Sequence, residues 1–221
     1  MPGRGRAVIG SVLLLCAICG AAFTGDTWAM SREEALAALQ DLRDVGLRRR
    51  AVEGLGETGT MADVPLLTEV LRDSDATVRA LAEQSLWLVW SRSGDPAVDE
   101  IFRRGVGQLQ RGELSESIAT FTDVIRRLPE FAEGWNKRAT AYYLDGALEK
   151  SLADCDEVMK RNPVHFGALS GYGLIYLQLG DAERALRYFE QALGVNPNLA
   201  GIRQAVEDIR RLLDRRRGET T

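Results

Sequence analysis

The sequence predicts an all-α protein, a solenoid of paired helices, and three observations carry that expectation. Pro129, Pro163 and Pro197 stand 34 residues apart, a period that belongs to stacked helical units. Gly112, Gly146 and Gly180 keep the same interval, each near the place where a first helix ends in a left-handed cap. Upstream, a fainter repeat of 31 residues sets Asp44 against Asp75, Arg48 against Arg79, Ala51 against Ala82 and Leu55 against Leu86.

The chain of 221 residues opens with a separate layout: Arg4 and Arg6, an apolar run over 7–23, and a short polar neck. That is the three-part form of a secretory signal, with Thr27-Trp28-Ala29 as a cleavage site and residues 1–29 removed. The protein is then expected in a bacterial periplasm or secreted. The run is also near the lower limit for spanning a bilayer, so a retained inner-membrane anchor is the alternative. Cleavage would take away Cys16 and Cys19 and leave only Cys155. Folding outside the cytoplasm would rest on packing and not on disulfides. Charged residues make up 27% and the net charge is -4, without the basic face of a nucleic-acid binder.

Residues 31–92 hold the shorter repeat. Leu36 and Leu39 match Leu67 and Val70 at the same offset. Pro65 falls in a first helical turn, where a missing N–H costs little. Paired helices with a turn, an aspartate and then a hydrophobic-arginine step resemble short HEAT repeats. The joint follows at "SRSGDP", Ser91–Pro96. Trp87 and Trp90 just before it are expected in the core of the junction, with a partner hot spot as the sharper reading.

From Ala97 to Pro197 the 34-residue period aligns more than proline. Leu169, Tyr172-Gly173, Tyr176, Ala185, Phe189 and Ala192 take the places of Trp135, Arg138-Ala139, Tyr142, Ser151, Cys155 and Val158. One period earlier stand Ile101, Arg104-Gly105, Gln108, Ser117, Phe121 and Val124. Small residues fall where two helices must approach and large ones where the space between pairs must be filled. This segment resembles the tetratricopeptide repeat family. The resemblance implies a right-handed α-α superhelix with three repeats over 97–199, at about 98–131, 132–165 and 166–199. Arg104 and Arg138 replace the preferred leucine, and either the site is rebuilt around an aliphatic stem or the side chain turns outward. Residues 200–217 follow as a capping helix, with an apolar stripe at Ile202, Val206, Ile209 and Leu213. The two arrays are expected to run on as one curved solenoid.

No constellation for chemistry is visible. His165, the only histidine, falls in the turn "RNPVHFG" and reads as a solvated surface residue. Cys155 reads as a small buried hydrophobe. No metal-ligand spacing and no cofactor loop is present, and the chain reads as not an enzyme. A HEAT-like chromophore lyase, with Cys155 or His165 needed for activity, is the remote alternative.

What the repeat resemblance implies instead is a concave face, lined by the first helix of each pair, that holds a protein or peptide. By position that face would present Phe102 and Val106 from the first repeat. The second would present Glu133, Asn136, Lys137, Thr140 and Tyr143, and the third Ser170, Leu177 and Gln178. Asn136 can both donate to and accept from a peptide backbone, and Tyr143 offers rigid area with a polar tip. The clamp that some members use for a C-terminal carboxylate, Lys and Asn in the first repeat with Lys and Arg in the third, is missing, since Phe102, Val106, Gly167 and Gly171 stand at its positions. An internal peptide segment or a partner surface is therefore expected. A membrane enters only if 7–23 are retained.

Overall fold

The computed structural model describes residues 30–39 and 43–218 of the chain. The signal or anchor expected at 1–29 lies outside them. Among the described residues the architecture is entirely helical. Four helices come first: α1 (Arg32–Ala38), α2 (Val45–Thr58), α3 (Val64–Val70) and α4 (Ala76–Trp90). Three antiparallel pairs follow: α5 (Pro96–Gln110) with α6 (Leu114–Arg127), α7 (Ala132–Leu144) with α8 (Leu148–Arg161), and α9 (Phe166–Gln178) with α10 (Ala182–Val195). The last helix, α11 (Ala200–Gly218), packs on α10.

Local chemistry fixes the ends. Asp44 and Asp75 each accept from the backbone N–H three residues on, at 2.8 and 3.0 Å, and so cap α2 and α4. Gly112, Gly146 and Gly180 have φ of 75°, 80° and 80°, a region costly for any residue with a Cβ. Ile202, Val206 and Ile209 of α11 close the last apolar face beside Ala185 and Phe189.

The two arginines at the leucine position part ways. Arg104 is exposed. Arg138 turns to Asp154 and donates to both carboxylate oxygens at 2.8 Å, with Trp135 and Tyr142 over its guanidinium at 5.0 and 5.7 Å. Gln108, standing for the usual tyrosine, accepts from the Thr120 hydroxyl at 2.6 Å.

The arrays do not run on end to end as expected. The first four helices share a core built on Leu55, Leu67 and Leu86, and that core takes in Phe166, Val164, Val195 and Leu199. Val164 and Leu199 lie in the turns after α8 and α10, Phe166 opens α9 and Val195 ends α10. Arg48 shows the principle, because it anchors α2 to Asp73, in the turn before α4, at 2.8 Å. Its counterpart Arg79 reaches Asn198, in the turn before α11, at 3.0 Å. The far turns of the second array thus stand where a further helical pair would cover the open end of the first.

Candidate partner-binding groove

Helices α5, α7 and α9 form the first member of each pair. On α7, Glu133, Asn136 and Lys137 share one face by helical spacing. On α9, Gly167 and Ser170 hold the positions one period later than Glu133 and Asn136. In this near half of the concave face sits the C-terminal end of α4. The Trp87 ring lies 5.3 Å from Lys137 Nζ, 5.5 Å from the His165 ring and 5.3 Å from Phe166. Trp90 stacks on His165 with centroids 4.3 Å apart and also meets Phe166 at 5.0 Å. A Cβ on Gly167 would come within 2.5 Å of the Trp87 ring. Only glycine lets α4 approach so closely.

Beneath the tryptophans lies a buried polar cluster. Glu133 has no exposed surface. It accepts from Lys137 Nζ at 3.0 Å, from Asn136 Nδ2 at 3.1 Å, and meets His165 Nε2 at 2.9 Å. His165 is equally buried, contrary to the solvated turn expected from sequence. Its Nδ1 accepts from the Ala168 N–H at 3.0 Å and caps α9. The mobile proton of a neutral ring therefore sits on Nε2, facing the Glu133 carboxylate. Burial alone would raise the Glu133 carboxyl, but the charge of Lys137 and the bond from His165 hold it at about 2.

The rim of this contact is hydrogen-bonded as well. Asn196 donates to Glu83 at 2.9 Å and Asn198 to the Leu71 carbonyl at 2.8 Å. Arg72 reaches the carbonyls of Val195, at 3.3 Å, and of Gly194. One donor within the contact, Trp90 Nε1, is buried without an acceptor, as is Asn162 Nδ2 at the end of α8.

The predicted groove residues divide accordingly. Asn136, Lys137 and Ser170 come together in the near half, each buried. Ser170 spends its hydroxyl on the Phe166 carbonyl at 2.7 Å. Phe102 faces inward, with Phe121 and Phe131 at 5.8 and 5.2 Å, because the first pair needs a large ring to fill its own core. In the far half, Val106, Thr140, Tyr143 and Leu177 are half-buried, and Gln178 is exposed. Burial raises the Tyr143 phenol, which stays neutral. Trp87 and Trp90 belong to the junction core, as their place before the joint implies. The partnership of Glu133 with His165 escaped sequence reasoning. Its signal was there: Phe131 and Leu199 hold the same place one period either side of His165, and both are apolar.

Chemically the cluster is closed. Its carboxylate, lysine and imidazole satisfy one another away from solvent. Among the described residues no group of three or more His, Cys, Asp or Glu side chains could hold a metal ion. Burial, with Asp154 and Asp156 nearby, pushes the Cys155 thiol up to about 12, far from a reactive thiolate.

Comparison with known proteins finds both kinds of repeat in the chain. A HEAT repeat model matches residues 17–87, and tetratricopeptide repeat models match 102–163 and 166–199. A TPR repeat-containing protein of Rhizobium etli is 26% identical over 156 residues, 71% of this chain and 75% of that protein. The outer membrane protein assembly factor BamD of Caulobacter vibrioides is 28% identical over 53% of this chain and 37% of its own length. The phycocyanobilin lyase subunit alpha of a Picosynechococcus strain is 37% identical over 84 residues, 35% of this chain and 31% of that one. Among solved structures, the first TPR of Spaghetti, bound to an HSP90 peptide, superposes with a TM-score of 0.51 at 21% identity. That match covers 53% of this chain and 93% of the other. Tetratricopeptide repeat models thus match 102–163 and 166–199 of the chain, preceded by a match to HEAT repeats over 17–87.

Proposed function

We propose that the protein is a non-enzymatic interaction scaffold that holds an internal peptide segment or a partner surface on its concave face. One observation carries this reading. The far half of that face keeps Val106, Thr140, Tyr143, Leu177 and Gln178 at least partly open to solvent, a mixed apolar and polar strip on rigid helices. Its structural neighbour from Spaghetti is bound to a chaperone peptide, which supports a peptide-sized occupant. The basic clamp for a terminal carboxylate does not carry over, because Lys137 is already paired with Glu133. Photo-crosslinking in the native cell tests the reading, with the probe at Tyr143 and a control at the exposed Arg187 of α10. A discrete adduct from Tyr143 alone supports it, and equal smears from both positions overturn it.

The scaffold acts, in this reading, outside the cytoplasm as an assembly factor. The layout of residues 1–29 and the likeness to an outer membrane assembly factor support that placement. The HEAT match begins at residue 17, inside the apolar run, which favours keeping the retained anchor as a second reading. No described helix is long and apolar enough to cross a membrane, and 7–23 lie outside those described. Mass measurement of the mature N-terminus separates the two. A start at Met30 supports export after cleavage, and a start at Met1 in the membrane fraction supports the anchor.

A further inference from the structure

The near half of the concave face is filled by the chain itself, and the manner of filling is informative. A permanent core would be apolar throughout, like Leu55, Leu67 and Leu86 inside the first array. Under Trp87 and Trp90 the second array presents, beside the Phe166 ring, the polar groups Glu133, Lys137, Asn136 and His165. These groups lose little if water replaces the tryptophans, whereas an apolar bed would lose its burial. Trp90 Nε1, on α4 itself, is buried there without an acceptor, which water would supply if the contact opened. The link from α4 to α5 is short and contains Gly94 at φ 83°, a backbone setting tolerant of rotation.

We propose that the surface made by Glu133, Asn136 and Lys137 of α7 with Gly167 of α9 is a recognition site for a helical segment bearing two aromatic residues three positions apart. In the resting chain α4 fills it in cis. Trp87 and Trp90 are the internal occupant, and a partner segment of the same chemistry competes for the place. Lys137 under an indole face supplies a cation–π contact. His165 supplies a stacking platform. Gly167 supplies the room for a ring to lie against backbone. Partner binding at this half is accordingly weakened by the fraction of molecules in which α4 is seated. The proposal rests on the concave face being the binding face and adds that half of it is self-occupied.

The test uses the full chain and a synthetic fluorescent peptide spanning residues 76–92. Wild type is expected to bind it weakly, and the Trp87→Ala/Trp90→Ala variant about tenfold or more tightly, since its own segment no longer competes. Adding Lys137→Ala to that variant should remove the gain. Equal affinity for wild type and variant, or no binding by either, overturns the proposal. Because the variant could unfold, native-state hydrogen exchange on wild type gives an independent reading. Amides of 45–90, which share one core with α4, should open in a step separate from, and lower than, those of 132–178. A single shared opening would make α4 part of one indivisible core and end the idea. Neither measurement needs the natural partner, so a failed crosslink at Tyr143 leaves this result standing on its own.

Discussion

Glu133 and His165, 32 residues apart in sequence, meet at 2.9 Å in a place that solvent does not reach. The contact spans two helical pairs and sets the imidazole flat beneath Trp90. It therefore does three things together: it neutralises a buried charge with Lys137, fixes the tautomer that caps α9, and builds the floor on which α4 rests.

Substituting Glu133 separates these roles. Glu133→Ala leaves Lys137 and the His165 Nε2–H facing each other in a buried site, a loss of about 3–5 kcal/mol. Glu133→Gln retains an acceptor for the imidazole and should lose less. Urea unfolding followed by tryptophan fluorescence reads both, and Lys137→Ala on the Ala background should recover part of the loss.

Acid titration gives a second check. The Glu133 carboxyl moves from 4.5 in an unfolded chain to about 2 in the fold. A depressed carboxylate contributes stability that is whole above 4.5 and is lost as pH falls through about 2. Asp63 and Asp73 are lowered too, by Arg32 and Arg48 overcoming their burial, so the informative quantity is a difference. Between pH 4.5 and 2 wild type should lose more stability than Glu133→Gln, by about 3 kcal/mol at most.

Two glycines on α9 should respond in opposite directions. In Gly167→Ala the new methyl would meet the Trp87 ring at 2.5 Å, an overpacking that costs about 1–3 kcal/mol. In Gly171→Ala it would meet only Cys155 Sγ at 3.5 Å. Helix propensity then favours the second variant by about 0.5–1 kcal/mol. Thermal unfolding of both, with tryptophan emission reporting the seat of α4, distinguishes local crowding from a general intolerance of the helix.

Arg138 and Asp154 form a pair that the repeat pattern does not anticipate. Arg138→Leu restores the residue type expected there, yet it leaves a carboxylate of 6% side-chain exposure without its partner. We expect a loss of about 3 kcal/mol from that single change, and a much smaller one from Arg138→Leu combined with Asp154→Ala. A double-mutant cycle by denaturant unfolding measures the coupling directly.

Sequence periodicity made the second array readable almost residue by residue, from Gly112, Gly146 and Gly180 at the turns to the stripe of α11. A period reports contacts between neighbours along the chain, and for that reason it is silent about α4. Asn136 and Lys137 were placed on the concave face by position alone. What fills that face comes from Trp87 and Trp90, two helical pairs away from His165. Phe102 was misread for a related cause. Asn136 and Ser170 stand at its two later positions, and their polarity hid the inward direction that a ring takes when the first pair has no earlier neighbour to pack against.

The bond from Asn196 to Glu83 closes 113 residues of chain, and that from Asn198 to the Leu71 carbonyl closes 127. Stacked repeats ordinarily fold as a row of local units, where order can start anywhere and spread. Here the row is bent until its first part touches its last, which raises the contact order and adds a loop-closure entropy that no local pair can offset. The helical pairs can form quickly and separately. The seating of α4 must wait for both ends to be in place, so it is completed last.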